Sequence, residues 1–236
     1  MTPSPMPETP QVRAPWLGFR LPYEMIVSPG RAFTDLASRP EWLTAYGILL
    51  VTALIELYLS APAIVHVRAL MPPPDGLAGK PPDALKAELN QFLIAGAIDA
   101  VVVLLLQIGL TATVLTAVAR FKGVATSYTV YASLAANCLV PTGIGALLAG
   151  LATALRPLGS FHDFRGLQTA LPDNLALFAD PAHVNETNFL ANFDVFSVWS
   201  AILLAYGFAA LAPVKFGTAL AISFAITLVL SVIFIR

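Results

Sequence analysis

Apolar runs long enough to cross a bilayer recur five times along the chain, and polar, proline-bearing segments divide them. In hydrocarbon a backbone amide finds no water, so a spanning segment must be helical and needs about 20 mostly apolar residues. The first run covers about residues 42–63 and is interrupted only by Glu56; the second covers about 92–119, with Asp99 its one charge. Residues 123–155 carry no charge at all, and 128–151 is the predicted helix within them. The fourth and fifth runs, 195–214 and 216–235, are parted by Lys215 alone. Pro213 and Gly217 beside that lysine predict a tight helical hairpin.

The connecting segments differ in kind. Residues 64–91 include Pro72, Pro73, Pro74, Pro81 and Pro82, which predicts an extended loop followed by a helix start near Asp83. Residues 156–194 are acidic, with short apolar pieces at 175–178 and 189–190, and Asp173 and Asn185 are the expected N-caps of two short interfacial helices. Residues 1–41 hold eight prolines and lack the continuous apolar core of a cleavable signal, so the first run is expected to serve as an uncleaved anchor. Within this lead-in, Ser28 as cap and Pro29 at the first helical position predict a short helix. Phe33 and Leu36 would share a face dipping into the membrane interface, while Arg31 and Arg39 meet lipid headgroups.

Composition turns this pattern into a class. Hydrophobic residues make up 57% of the 236 and charged ones 11%, with a mean hydropathy of +0.76, against about 25% charged in an average soluble domain. The net charge of -1, with basic residues scattered rather than run together, gives no reason to expect nucleic acid as a partner. Cys138 is the only cysteine, which excludes an intrachain disulfide and a cysteine-based metal site. Arg13, Arg20, Arg31 and Arg39 precede the first run, and the short second and fourth loops carry Arg120, Lys122 and Lys215. This density of positive charge predicts an N-terminus in the cytoplasm and a C-terminus outside.

An ionisable group inside a membrane is costly, which makes each one a functional candidate. Glu56, Asp99 and Asp194 all fall toward the outer ends of their spans, where three neighbouring carboxylates would favour a shared proton or cation. Each also has a purely structural reading. Asp99 would cap or start its helix, Asp194 would be the N-cap of the fourth span with Phe196 and Trp199 at the interface, and Glu56 would pair with Arg68 or with a polar group on another helix. The third span carries Asn137, Pro141, Gly143 and Gly145, which predict a kink or break, with small-xxx-small spacing from Gly145 to Ala149 and from Ala146 to Gly150. The same spacing recurs at Ala201, Ala205 and Ala209, and at Gly217, Ala221 and Ala225, so helix packing or self-association is the simpler reading of these faces. The three histidines, His66, His162 and His183, lack the paired helical spacing of a zinc protease, and no phosphate-binding loop or nucleophile–base pair is present. No enzyme activity, cofactor or metal is therefore expected.

Two motifs then carry a resemblance. The lead-in has Ser28-Pro29 followed by Phe33 and by Arg39-Pro40-x-Trp42, and the fourth run opens with Asp194-x-Phe196-Ser197-x-Trp199-Ser200. Together with the order of elements over about residues 24–236, they make the chain resemble a Yip1-domain protein of the bacterial type. The resemblance implies five spans with a cytoplasmic N-terminus. Eukaryotic members are linked to vesicle traffic and bind Rab-class GTPases, but this chain lacks their Asp-Leu-Tyr-Gly-Pro motif and has a short cytoplasmic segment, so that role is not carried over.

The expectation is thus an all-α polytopic protein of the inner membrane. Residues 1–41 would form a cytoplasmic segment with an interfacial helix, and 42–236 a bundle of five transmembrane helices. Its expected role is a non-enzymatic scaffold that binds a membrane protein or lipid; the alternative is a proton- or cation-coupled transporter or channel-like component built on Glu56, Asp99, Asn137 and Asp194.

Overall fold

The computed structural model describes residues 17–71, 79–180 and 183–234. Arg13, Pro72, Pro73, Pro74 and the last two residues of the chain, with the end of the fifth predicted span, lie outside them. Every regular element among the described residues is helical.

Four helical segments are long and apolar enough to cross a membrane, and a fifth is apolar but shorter. Helix α3 spans Leu43–Leu70 and α4 spans Pro82–Phe121. The third segment, Tyr128–Leu155, comprises α5 (Tyr128–Cys138) and α6 (Val140–Leu155). Helix α9, Val195–Leu211, has 17 residues, and α10 is Phe216–Ile233. Before them come α1 (Leu17–Val27) and α2 (Pro29–Ser38), and between α6 and α9 lie the short α7 (Phe164–Gln168) and α8 (Val184–Ala191).

The helix limits depart from the predicted spans for physical reasons. Helix α3 continues past Ala63 to Leu70, and the helix start expected near Asp83 is found at Pro82 and runs without a break into the second span; an ion pair from Arg68 to Glu88 joins these polar extensions. At about 1.5 Å per residue the 40 residues of α4 measure about 60 Å, twice the hydrocarbon thickness. Glu56 and Asp99 consequently sit in mid-helix rather than near helix ends, and Asp99 does not start α4. Helix α9 stops at Leu211, short of residue 214, because Pro213 biases Ala212 to the extended conformation it adopts.

The expected break in the third span falls at Leu139, with Pro141 in the first turn of α6, where a missing amide proton forgoes little. The Thr142 amide donates to the Leu139 carbonyl at 2.9 Å, a tightened turn. Leu139 stays in the right-handed helical region, so α5 and α6 run on as one segment. The hairpin expected at Lys215 is present: residues 212–215 join α9 to α10, which pack on each other with Tyr206 and Phe216 ring centroids 4.4 Å apart.

The lead-in is more structured than its prolines suggest. Helix α1 forms around an internal Pro22 because Leu21 and Met25 are buried in the main core, and tertiary packing outweighs local propensity. The face of α2 that carries Ala32, Phe33 and Leu36 is also buried in that core rather than turned to lipid, whereas Arg31 and Arg39 are exposed. Ser28 occupies the N-cap position, but its side chain makes no capping bond. The predicted caps at Asp173 and Asn185 shift as well: Asn174 caps the 3-10 turn Leu175–Phe178, and α8 begins after His183.

Close helix contacts are made at glycines. A Cβ on Gly207 would meet Leu134 and, at 2.7 Å, Phe33; one on Gly150 would stand 2.9 Å from the Cα of Glu56. Small residues let membrane helices approach in this way, since lipid tails leave packing rather than the hydrophobic effect to drive association. By contrast Gly217 has open space, and Ala221 and Ala225 on the same helix are exposed.

Candidate functional site

Two groups of helices pack well internally and leave a cleft between them. Helix α4 packs on α3 and α5, while α10 packs on α9. Between α4 and the α9–α10 hairpin lies a cavity of about 440 Å³, within the range of small-molecule sites.

Its walls alternate apolar and neutral polar side chains. Helix α4 contributes Val103, Leu104, Gln107 and Thr111, which recur at helical spacing and so share one face. Opposite them stand Ser197, Ser200 and Leu204 from α9 and Ile226, Thr227 and Ser231 from α10. Thr52 of α3 and Thr142 of α6 line the back. Gln168, Asn188 and Asn192, on and beside α7 and α8, reach the cavity from the segment before α9, and Gln168 Nε2 donates to Asn188 Oδ1 at 3.3 Å. Asp194 is the one ionisable carboxylate in the lining, and no lysine, arginine or histidine belongs to it among the described residues.

Asp194 is held by the turn that starts α9. Its carboxylate accepts from the Ser197 amide at 2.6 Å, and the Ser197 hydroxyl accepts from the Asp194 amide at 3.0 Å, a complete capping box. The neighbouring strand-like contact from Asn174 to Asp194 brings Asp173 near. Burial pushes the Asp194 carboxyl above its ordinary pKa, and the charge of Asp173 adds to this, while the capping bonds oppose it. Asp173 is raised for the same first cause, burial.

The other sequence candidates lie elsewhere. Glu56 faces the α3–α6 seam beside Gly150 and accepts from Ser60 Oγ at 3.2 Å; Arg68, one of its two expected kinds of partner, is engaged by Glu88. Asp99 is half-buried on α4. Asn137 is fully buried on α5, where its Nδ2 donates to the carbonyls of Glu41 at 2.8 Å and Ser133 at 2.9 Å, tying the start of α3 to α5. Only Asp194 of these four lines the cleft.

The motif residues act in packing. Pro29 opens α2, Phe33 reaches Gly207, and Pro40 is exposed just before Trp42, whose ring meets Tyr46 edge-on at 6.0 Å. Phe196 lies over Gly145, where a Cβ would stand 2.7 Å from its ring, and Trp199 packs against the main core. Ser200, the last residue of the second motif, also lines the cleft. Gln107, Thr111 and Thr227 are lining residues that sequence reasoning misses. Their only signal is that of neutral polar residues at one-turn spacing, Gln107 to Thr111 and Thr227 to Ser231, on otherwise apolar helices.

The Yip1 domain family model matches residues 23–235, nearly the whole chain. Neither a curated protein nor a solved structure matches it.

Proposed function

This chain belongs to the Yip1 domain family, and from that premise we propose that it is a non-enzymatic membrane protein that binds a protein or lipid partner in the cleft between α4 and the α9–α10 hairpin. The supporting observation is the cleft itself, whose facing walls present neutral hydroxyl and amide groups among apolar side chains. Such walls suit reversible binding, in which a few placed polar groups orient a ligand that apolar surface holds. Glu56, Asp99 and Asn137 lie outside that lining, which favours binding over a transport path built on all four candidates.

In this reading α9 also crosses the membrane and brings the spans to five. Its 17 residues reach about 25 Å, close to the hydrocarbon thickness, with the capping box at one end and the hairpin at the other. With an odd number of spans, the basic lead-in supports an N-terminus in the cytoplasm and a C-terminus outside the inner membrane. Exposed Arg31 and Arg39 then meet headgroups beside α2. The open stripe of Gly217, Ala221 and Ala225 offers a face for self-association.

A photoreactive residue at Leu104, in the cleft wall, tests the binding role against one at Val102, which faces outward. A discrete adduct from Leu104 that Val102 does not give is expected. Identical products from both positions would refute the role.

A further inference from the structure

Helices α1 and α2 form a pair whose outward faces differ in kind. Phe19, Tyr23 and Val27 recur one turn apart on α1 and are 60%, 65% and 55% exposed, while Leu21 and Met25 on the opposite side of the same helix are buried in the main core. Helix α1 is therefore apolar on both sides, which suits a helix between protein and lipid rather than one between protein and water. The outward residues of α2 are instead polar: Arg31, Thr34, Asp35, Ser38 and Arg39. The charges of α1 are matched within the pair, since Arg20 Nε donates to Glu24 Oε1 at 2.7 Å and Arg20 Nη2 lies 3.5 Å from Asp35 Oδ2 of α2. Ionisable groups held at membrane depth pair with one another in this way.

The neighbours of the two helices set their depth. Helix α5 begins at Tyr128, just beyond the basic Arg120 and Lys122. Asn137 stands about 14 Å along the axis from Tyr128, and there its amide holds the Glu41 carbonyl just before α3. Helix α3 thus starts well inside the membrane domain and leaves the layer between that point and Lys122 to other elements. Helix α1 packs on α3, α5 and α6, at the depth where α5 meets α6, whereas α2 packs on α5 and α9, with Phe33 against Gly207 one turn from the end of α9.

We infer that α1 is embedded in the leaflet on the side of Arg120 and Lys122, with Phe19, Tyr23 and Val27 against acyl chains and α2 as its polar cover at the headgroups. The interfacial role that the sequence suggests for Phe33 and Leu36 of α2 passes to the outward stripe of α1, because the apolar face of α2 is spent on the protein core.

The test uses the full chain in nanodiscs that hold one copy each, with single cysteines introduced on the two helices and a charged, water-soluble maleimide as probe. Cys138 is buried, so it stays unlabelled while the chain is folded and reports misfolding in every variant. Only a thiolate reacts with the probe, and an apolar surrounding disfavours it. Tyr23→Cys and Val27→Cys should label at least about tenfold more slowly than Thr34→Cys, the effect of one pKa unit on the thiolate fraction, and as slowly as Leu106→Cys on the outward face of α4. Removing residues 2–16 should leave that difference in place. Labelling of Tyr23→Cys as fast as that of Thr34→Cys would overturn the inference by placing the stripe in water. A Tyr23→Cys rate that rises to that of Thr34→Cys once residues 2–16 are gone would overturn it too, since the chain's own N-terminus would then be the cover.

Discussion

The surroundings of Gly207 and the cleft beside Ser200 lie on the same helix, two turns apart, yet are built in opposite ways. At Gly207 the absent side chain is filled by Phe33 and Leu134, and Phe208 beside it packs edge-on against Tyr131 at 5.9 Å. At Ser200 the residue lines a cavity, while its hydroxyl is buried and has no hydrogen-bond partner among the described residues. The first arrangement gives van der Waals contact, which is what holds membrane helices together; the second forgoes contact and keeps polar groups available. Stability should therefore concentrate around Gly207, and ligand response in the cleft.

The largest loss is expected from Phe33→Ala. Removing a buried ring from the α2 contact should cost about 3–5 kcal/mol, read as a lower unfolding midpoint in mild detergent. Gly207→Ala comes next, because the new Cβ collides with Leu134 and Phe33; about 1–3 kcal/mol is expected in the same assay. Asp194→Ala should cost about 0.5–2 kcal/mol by removing the cap of α9. Ser200→Ala should cost nothing and raise stability by up to about 1 kcal/mol, since the hydroxyl it removes is buried without a protein partner among the described residues. A cost at Ser200 as large as that at Gly207 would erase the contrast.

Asp194 adds a pH dependence. Its folded pKa is raised, chiefly by burial, so the folded chain binds its proton more tightly than the unfolded chain. The stability linked to this group is then greatest in acid, below the unfolded pKa, and falls as pH rises through the folded pKa. Asp194→Asn, which keeps a capping oxygen, should flatten that fall in a pH series of unfolding midpoints.

The apolar runs made the membrane helices legible, because a span must be long and apolar whatever it packs against. The start of α4 near Asp83 was legible from the prolines before it, but its unbroken run into the second span was not, since its first turns are polar and owe their helicity partly to the Arg68–Glu88 pair. Helix α1 was hidden by Pro22, which tertiary burial of Leu21 and Met25 overrides. Asp194 was readable as an N-cap from its own neighbours, Ser197 above all. The cleft was not readable, because it depends on Gln107 and Thr227 lining one cavity from helices that are far apart in sequence. Charges drew attention to Glu56 and Asp99, while the lining is mostly neutral.

The binding role of the cleft is tested most directly by the mass retained on the intact chain when it is released from native-lipid nanodiscs. Thr227→Trp fills the cleft, and Ala221→Trp places the same ring on the exposed face of α10. The account predicts a discrete bound species on the unaltered chain and on Ala221→Trp that Thr227→Trp has lost. Equal retention by the two variants would contradict it.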